Sequence, residues 1–98
     1  MRLDSTQQAA LKLAFQNLNK EDEVYLFGSR VDDNKKGGDI DLLIFSAKDS
    51  FELSRKISQE FFKHCEEKID VLVVHPQNQT QEQKLFTSSL KKVPLKLL

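Results

Sequence analysis

The sequence has one cysteine, Cys65, in 98 residues. A lone cysteine excludes an intrachain disulfide and any zinc site built on cysteine pairs, and makes a reducing, cytoplasmic setting the expectation. There is no excess of either charge. Lys and Arg total 15, Asp and Glu total 15, and the formal net charge is zero, so no global basic field marks a nucleic-acid surface. No apolar run approaches the ~20 residues that span a membrane, and Met1 to Gln8 has no apolar segment of the kind a secretory signal carries. Internal repeats, linkers and low-complexity segments are also lacking. Hydrophobic residues make up 39% and charged residues 31%, the balance of a soluble folded chain. A single domain over residues 1–98 is expected, with no membrane association and no second lobe.

The apolar spacing outlines the elements. Ser5-Thr6-Gln7-Gln8 has the spacing of a capping box, with Ser5 as N-cap. Leu11, Ala14, Phe15 and Leu18 continue it as an amphipathic helix of roughly four turns. Val24 to Phe27 predicts a first buried strand, and Ile40 to Phe45 and Ile69 to Val74 two more. Between the first two strands lies a polar loop, Asp32 to Gly38. Asp49 and Glu52 mark a second helix start, with Leu53, Ile57, Phe61 and Cys65 on its inner face and Glu66-Glu67-Lys68 ending it in water. Thr80 and Gln83 start a third helix that Val93-Pro94 stops, before an apolar tail from Leu95 to Leu98. The order is α-β-β-α-β-α: an α/β chain of the α+β type with a three-stranded or slightly larger sheet that needs helices on at least one face.

Three acids interrupt these apolar strands: Asp39, Asp41 and Asp70. Asp39 and Asp41 stand at i and i+2, so they share a face, while Ile40, Leu42 and Ile44 face the other way. Neighbouring carboxylates repel, and a cation between them relieves the repulsion. If the second and third strands are neighbours, Asp70 joins the pair at one end of one face. Such a trio of hard oxygen donors suits Mg²⁺ or Mn²⁺ and can hold two ions ~3.5–4 Å apart, as in phosphoryl and nucleotidyl transfer. The plainer reading is that Asp39 and Asp41 cap a strand and pair with Lys35, Lys36 or Arg30. Upstream, Gly28-Ser29 follows a strand, and its free N–H groups with the Ser29 hydroxyl could hold a phosphate. Arg30 beside them is a phosphate ligand or a solvated charge. A P-loop is excluded because G-K-[ST] is missing, and an EF-hand from Asp32 fails because Lys36 and Leu43 occupy ligand positions. His64 and His75 sit at element ends and take no catalytic role. Cys65 reads as a buried thiol.

Phe27-Gly28-Ser29-Arg30 followed by Gly38-Asp39-Ile40-Asp41-Leu42 resembles the hydrophobic-G-S … D-x-D motif of the DNA polymerase beta-type nucleotidyltransferase superfamily. The short length and the form G-S-R … G-D-I-D-L-L-I are similar to the minimal nucleotidyltransferases (MNT proteins), over residues from about 5 to about 90. The resemblance implies a mixed sheet with helices on one face and a nucleoside triphosphate over the other. It implies that Gly28 and Ser29 grip the triphosphate, with Arg30 beside them. It further implies that Asp39 and Asp41 bind two Mg²⁺ ions, and that Asp70 is the third metal ligand and base. The activity implied is transfer of a nucleoside monophosphate, AMP from ATP, to a hydroxyl with release of pyrophosphate. Minimal members pair with an all-helical HEPN protein, in several cases a toxin for which the transferase is the antitoxin. The alternatives are a non-catalytic antitoxin that neutralises its partner by contact, and a transferase acting on a small molecule such as an aminoglycoside, for which a homodimer could complete the acceptor pocket. The carboxylate face also carries Leu43, Phe45, Leu72 and Val74, so either the segment from Leu85 to Leu98 or a second chain is expected to cover it.

Overall fold

A computed structural model describes residues 1–95. The chain runs α1 (Ser5–Ala14), β1 (Glu23–Phe27), β2 (Ile40–Phe45), α2 (Ser50–Phe62), β3 (Ile69–Val74), α3 (Gln81–Ser89) and β4 (Lys92–Pro94). Single 3₁₀ turns at Phe15–Asn17 and Gly28–Val31 follow α1 and β1. The sheet order is β3-β2-β1-β4. β1 is antiparallel to both β2 and β4. β2 and β3 are parallel, with α2 as the crossover between them, since parallel neighbours need a long connection. Among the described residues no helix is long and apolar enough to cross a membrane.

Each helix starts where a short polar side chain can accept from the free N–H groups of the first turn. Asp49 accepts from the Glu52 N–H at the head of α2, and Thr80 and Gln83 form a reciprocal box at α3. At α1 the structure corrects the expected cap. Asp4, not Ser5, is the N-cap, and it shares its box with Gln7. Two overlapping boxes were available, Asp4 with Gln7 and Ser5 with Gln8. Gln7 is drawn inward to the Arg30 guanidinium, and that selects the earlier one. α1 also ends sooner than its apolar spacing suggests, its last turn tightening to 3₁₀ at Phe15. α2 likewise stops at Phe62, because the Phe61 carbonyl accepts from both the His64 and Cys65 N–H groups. Cys65 is half-buried against the core from beyond the helix.

One face of the sheet meets α1 and α2. Leu26, Ile40, Leu42 and Ile44 from the strands pack with Ala10, Leu11, Ala14, Phe15, Ile57 and Phe61, all fully buried. Burying a side chain of this size stabilises by about 1.5–3 kcal/mol before entropy is counted. A fourth strand makes the sheet slightly larger than the three apolar runs alone. α3 ends at Ser89, short of the stop expected at Val93-Pro94, and Lys92-Val93-Pro94 instead pairs with the edge of β1, where a proline is tolerated because its missing N–H can face outward.

The opposite face is the one bearing the acids. In register, Phe27 stands opposite Asp41 and Tyr25 opposite Leu43 on one side of β2. Asp41 stands beside Asp70 and Leu43 beside Leu72 on the other. α3 comes over this face: Phe86 packs edge-on against Phe27 with centroids 6.0 Å apart. The Lys92 ammonium donates to the Thr87 carbonyl at 3.0 Å and lies 5.4 Å from the Tyr25 ring centroid. Leu43 and Val74 are buried, while Leu72, Leu85 and Phe86 stay exposed. The chain's own C-terminal elements thus cover part of the acid-bearing face. Of the apolar tail, Leu95 is buried and residues 96–98 lie outside the described residues.

Candidate active site

The site lies where β1 ends and β2 and β3 begin. β1 delivers Phe27 into a 3₁₀ turn, Gly28–Val31, with Gly28 at φ +76°. That left-handed conformation is open to glycine and strained for residues with a Cβ. The turn also passes close to the acids, and a Cβ on Gly28 would run into the Asp41 carboxylate. Gly38, at φ +88°, stands in the same relation to Ser29, since a Cβ there would meet Oγ. The motif's two halves therefore interlock, Gly28 against Asp41 and Gly38 against Ser29. Each contact requires a residue without a side chain.

Asp41 and Asp70 are direct neighbours across the parallel β2–β3 pair, and Asp39, just before β2 begins, lies close enough for its charge to act on Asp41. Asp41 and Asp39 are half-buried and Asp70 is exposed. The Asp41 carboxyl titrates above the ordinary carboxylate range. Burial is the main cause, then the Asp70 charge, then that of Asp39. Three negative groups are thus concentrated around one partly dry position. Among the described residues the one ion pair to these acids is that of Lys68, whose ammonium is 3.6 Å from Asp39, a solvent-exposed pair of small energetic weight. The strand-capping partners considered from the sequence, Lys35, Lys36 and Arg30, do not form ion pairs with these acids among the described residues.

The residues fit a hard divalent cation by donor chemistry, three carboxylates with no soft ligand among them, and by the unmet negative charge felt at Asp41. Among the described residues, however, no three His, Cys, Asp or Glu side chains are already arranged around one point that would hold a metal.

Arg30 is placed differently from its neighbours in the motif. It is buried, and each guanidinium nitrogen faces a protein oxygen. Nε donates to the Gly38 carbonyl at 3.0 Å. Nη1 donates to the Arg2 carbonyl at 3.1 Å and to Gln7 Oε1 at 3.3 Å. Nη2 pairs with Glu67 at 3.6 Å. Nε and Nη1 are thus committed to protein oxygens, while Nη2 makes an ion pair but no hydrogen bond. Its contact with Gly38 makes it a brace between the turn and the loop. Sequence patterning did not single out Arg2, whose guanidinium also reaches this loop. No local signal could have done so, because its partners lie 27–35 residues away. A cleft of about 1140 Å³ near Phe15, Leu18, Tyr25 and Leu95 includes none of the three aspartates; the acids lie on an open face instead.

A family model described as polymerase beta, nucleotidyltransferase, matches residues 10–91. No curated protein matches the chain. The matched span contains the turn, the three acids and every strand pairing between them. With its mixed sheet, α1 and α2 on one face and the interlocked glycine-serine and D-x-D segments on the other, the chain belongs to the polymerase beta-type nucleotidyltransferase family.

Proposed function

We propose that this protein is a divalent-metal-dependent enzyme that transfers AMP from ATP to a hydroxyl on an all-helical HEPN-type protein, and so acts as the antitoxin of that partner in the cytoplasm. The observation that carries the catalytic reading is the in-register pairing of Asp41 with Asp70 on the face shared by Asp39, beside the Gly28-Ser29 turn. Asp39, Asp41 and Asp70 would hold Mg²⁺ or Mn²⁺. When bound, the metal supplies neutralising charge to the triphosphate and to the oxygens that attack and leave. The exposed N–H groups of the Gly28 turn and the Ser29 hydroxyl contact the β- and γ-phosphates. Asp70, the most exposed of the three acids, takes the proton of the attacking hydroxyl. The acceptor oxygen bonds to the α-phosphorus, the bond from the α-phosphorus to the bridging oxygen breaks, and pyrophosphate leaves. A protein acceptor is supported by the exposed apolar residues Leu72, Leu85 and Phe86 around this face, which a partner surface would cover.

The test is incubation with α-labelled ATP, Mg²⁺ and the product of the adjacent gene. Label is expected on the partner, and Asp39→Asn, Asp41→Asn and Asp70→Asn should each lower its rate by about 10²-fold or more. Absence of transfer, with a complex whose protective effect survives Asp39→Asn and Asp41→Asn together, would instead identify a contact antitoxin.

A further inference from the structure

We propose that Arg2 is a positioning residue for the nucleotide site, although it lies outside the residues 10–91 that the family model matches. Its effect on nucleotide rests on the function proposed above; its grip on the loop does not. The Arg2 Nε donates to the Asp32 carbonyl at 2.8 Å. Its Nη2 donates to the Ser29 carbonyl at 2.7 Å and to the Gly37 carbonyl at 3.0 Å. Its main chain is tied to the same turn, the N–H donating to the Arg30 carbonyl at 2.8 Å and the carbonyl accepting from Arg30 Nη1.

These acceptors span the motif. Ser29 is on the phosphate turn, Gly37 precedes the Gly38 that abuts Ser29 Oγ, and Asp32 lies between them. Residues 32–39 form no helix or strand. Apart from the arginines and the Met1 ammonium, which donates to the Asp33 carboxylate at 2.6 Å, the loop holds itself together with few bonds: Asp32 N–H to the Ser29 carbonyl, Lys35 N–H to the Asp32 carbonyl, and Asn34 N–H to the Asp32 carboxylate. Two of the carbonyls in these bonds are those that Arg2 also holds. A guanidinium is a rigid planar fork of donors, so holding three carbonyls at once sets their relative positions, which a lysine ammonium on a flexible stem does not. Fixing the Ser29 peptide sets where its hydroxyl and the N–H groups of the turn point, and those are the groups that face a triphosphate. Arg30 holds the fourth carbonyl, that of Gly38, from the buried side. Arg2 is half-buried, so its replacement should loosen the loop without opening the core.

The experiment compares wild type, Arg2→Ala, Arg2→Lys and, as a charge-matched control, Arg55→Ala on the outer face of α2. Two readouts are used: residue-resolved amide hydrogen exchange, and the Kd for Mg²⁺-ATP and for Mg²⁺-tripolyphosphate. In Arg2→Ala the amides of Asp32, Asn34 and Lys35 should exchange about tenfold faster or more, with those of β2 and α2 unchanged. Both Kd values should rise by about the same factor, roughly tenfold, because the phosphates and not the base are affected. Arg2→Lys should fall between, and Arg55→Ala should match wild type. Wild-type exchange in the loop of Arg2→Ala, wild-type affinity for both probes, or lost protection throughout the chain would each overturn the proposal. Wild-type protein that binds neither probe overturns the nucleotide reading itself, while the exchange comparison still decides whether Arg2 holds the loop.

Discussion

At Gly28 the absence of one methyl group decides how closely the glycine-serine turn approaches Asp41. Gly28→Ala adds strain at φ +76° and drives a Cβ into the Asp41 carboxylate. We expect a stability loss of about 1–3 kcal/mol in urea unfolding, together with loss of nucleotide binding. Gly37, also at positive φ but with open space around it, should lose only the backbone component on Gly37→Ala. Asp41 illustrates the reverse, a candidate site residue that costs stability. Its carboxyl is raised by burial and by Asp70 and Asp39, so the folded state binds a proton that the unfolded state releases. Between the ordinary carboxylate value and the raised one, stability therefore falls as pH rises. Metal-free Asp41→Asn should melt a few degrees higher than wild type at neutral pH, and the gap should close below the ordinary carboxylate range. Mg²⁺ should raise the melting temperature of wild type but not of this variant.

Among the elements, those with strong local signals were legible in the sequence. β2 and β3 run as their apolar stretches predict, because β-branched and large apolar residues bounded by turn chemistry leave few alternatives. The Thr80–Gln83 box and the Asp49 cap are local bonds and were equally readable. The start of α1 was not, because two boxes one residue apart satisfy the same rule and a distant arginine chooses between them. Asp4→Ala should therefore cost about 1 kcal/mol, and Ser5→Ala close to none, when their unfolding midpoints are compared. β4 escaped for a related reason. Three residues ending in proline carry no strand signal of their own, and only the free edge of β1 makes them a strand.

On the scale of the whole molecule, stability is unevenly spread. β2 is bonded on both sides and buried against α1 and α2. In α3 only Thr87 is buried, and Leu85 and Phe86 are exposed. Native-state hydrogen exchange should accordingly show α3 opening at much lower free energy than β2. Binding of a partner over Leu85 and Phe86 should slow exchange in α3 more than in any other helix.

Local pattern alone carries the period-two alternation that puts Asp39 and Asp41 on one strand face, the apolar stripes that put α1 and α2 on the other, and the glycine-serine turn upstream. These follow from backbone geometry repeating every few residues. Long-range folding is what sets Asp70 beside Asp41, interlocks Gly28 and Gly38 with Asp41 and Ser29, turns Arg30 inward and brings Arg2 onto the loop. Those contacts join parts of the chain that no local period relates. They exist because a parallel pairing across α2 and the docking of the N-terminal residues bring together charges and carbonyls that must find partners when water is excluded.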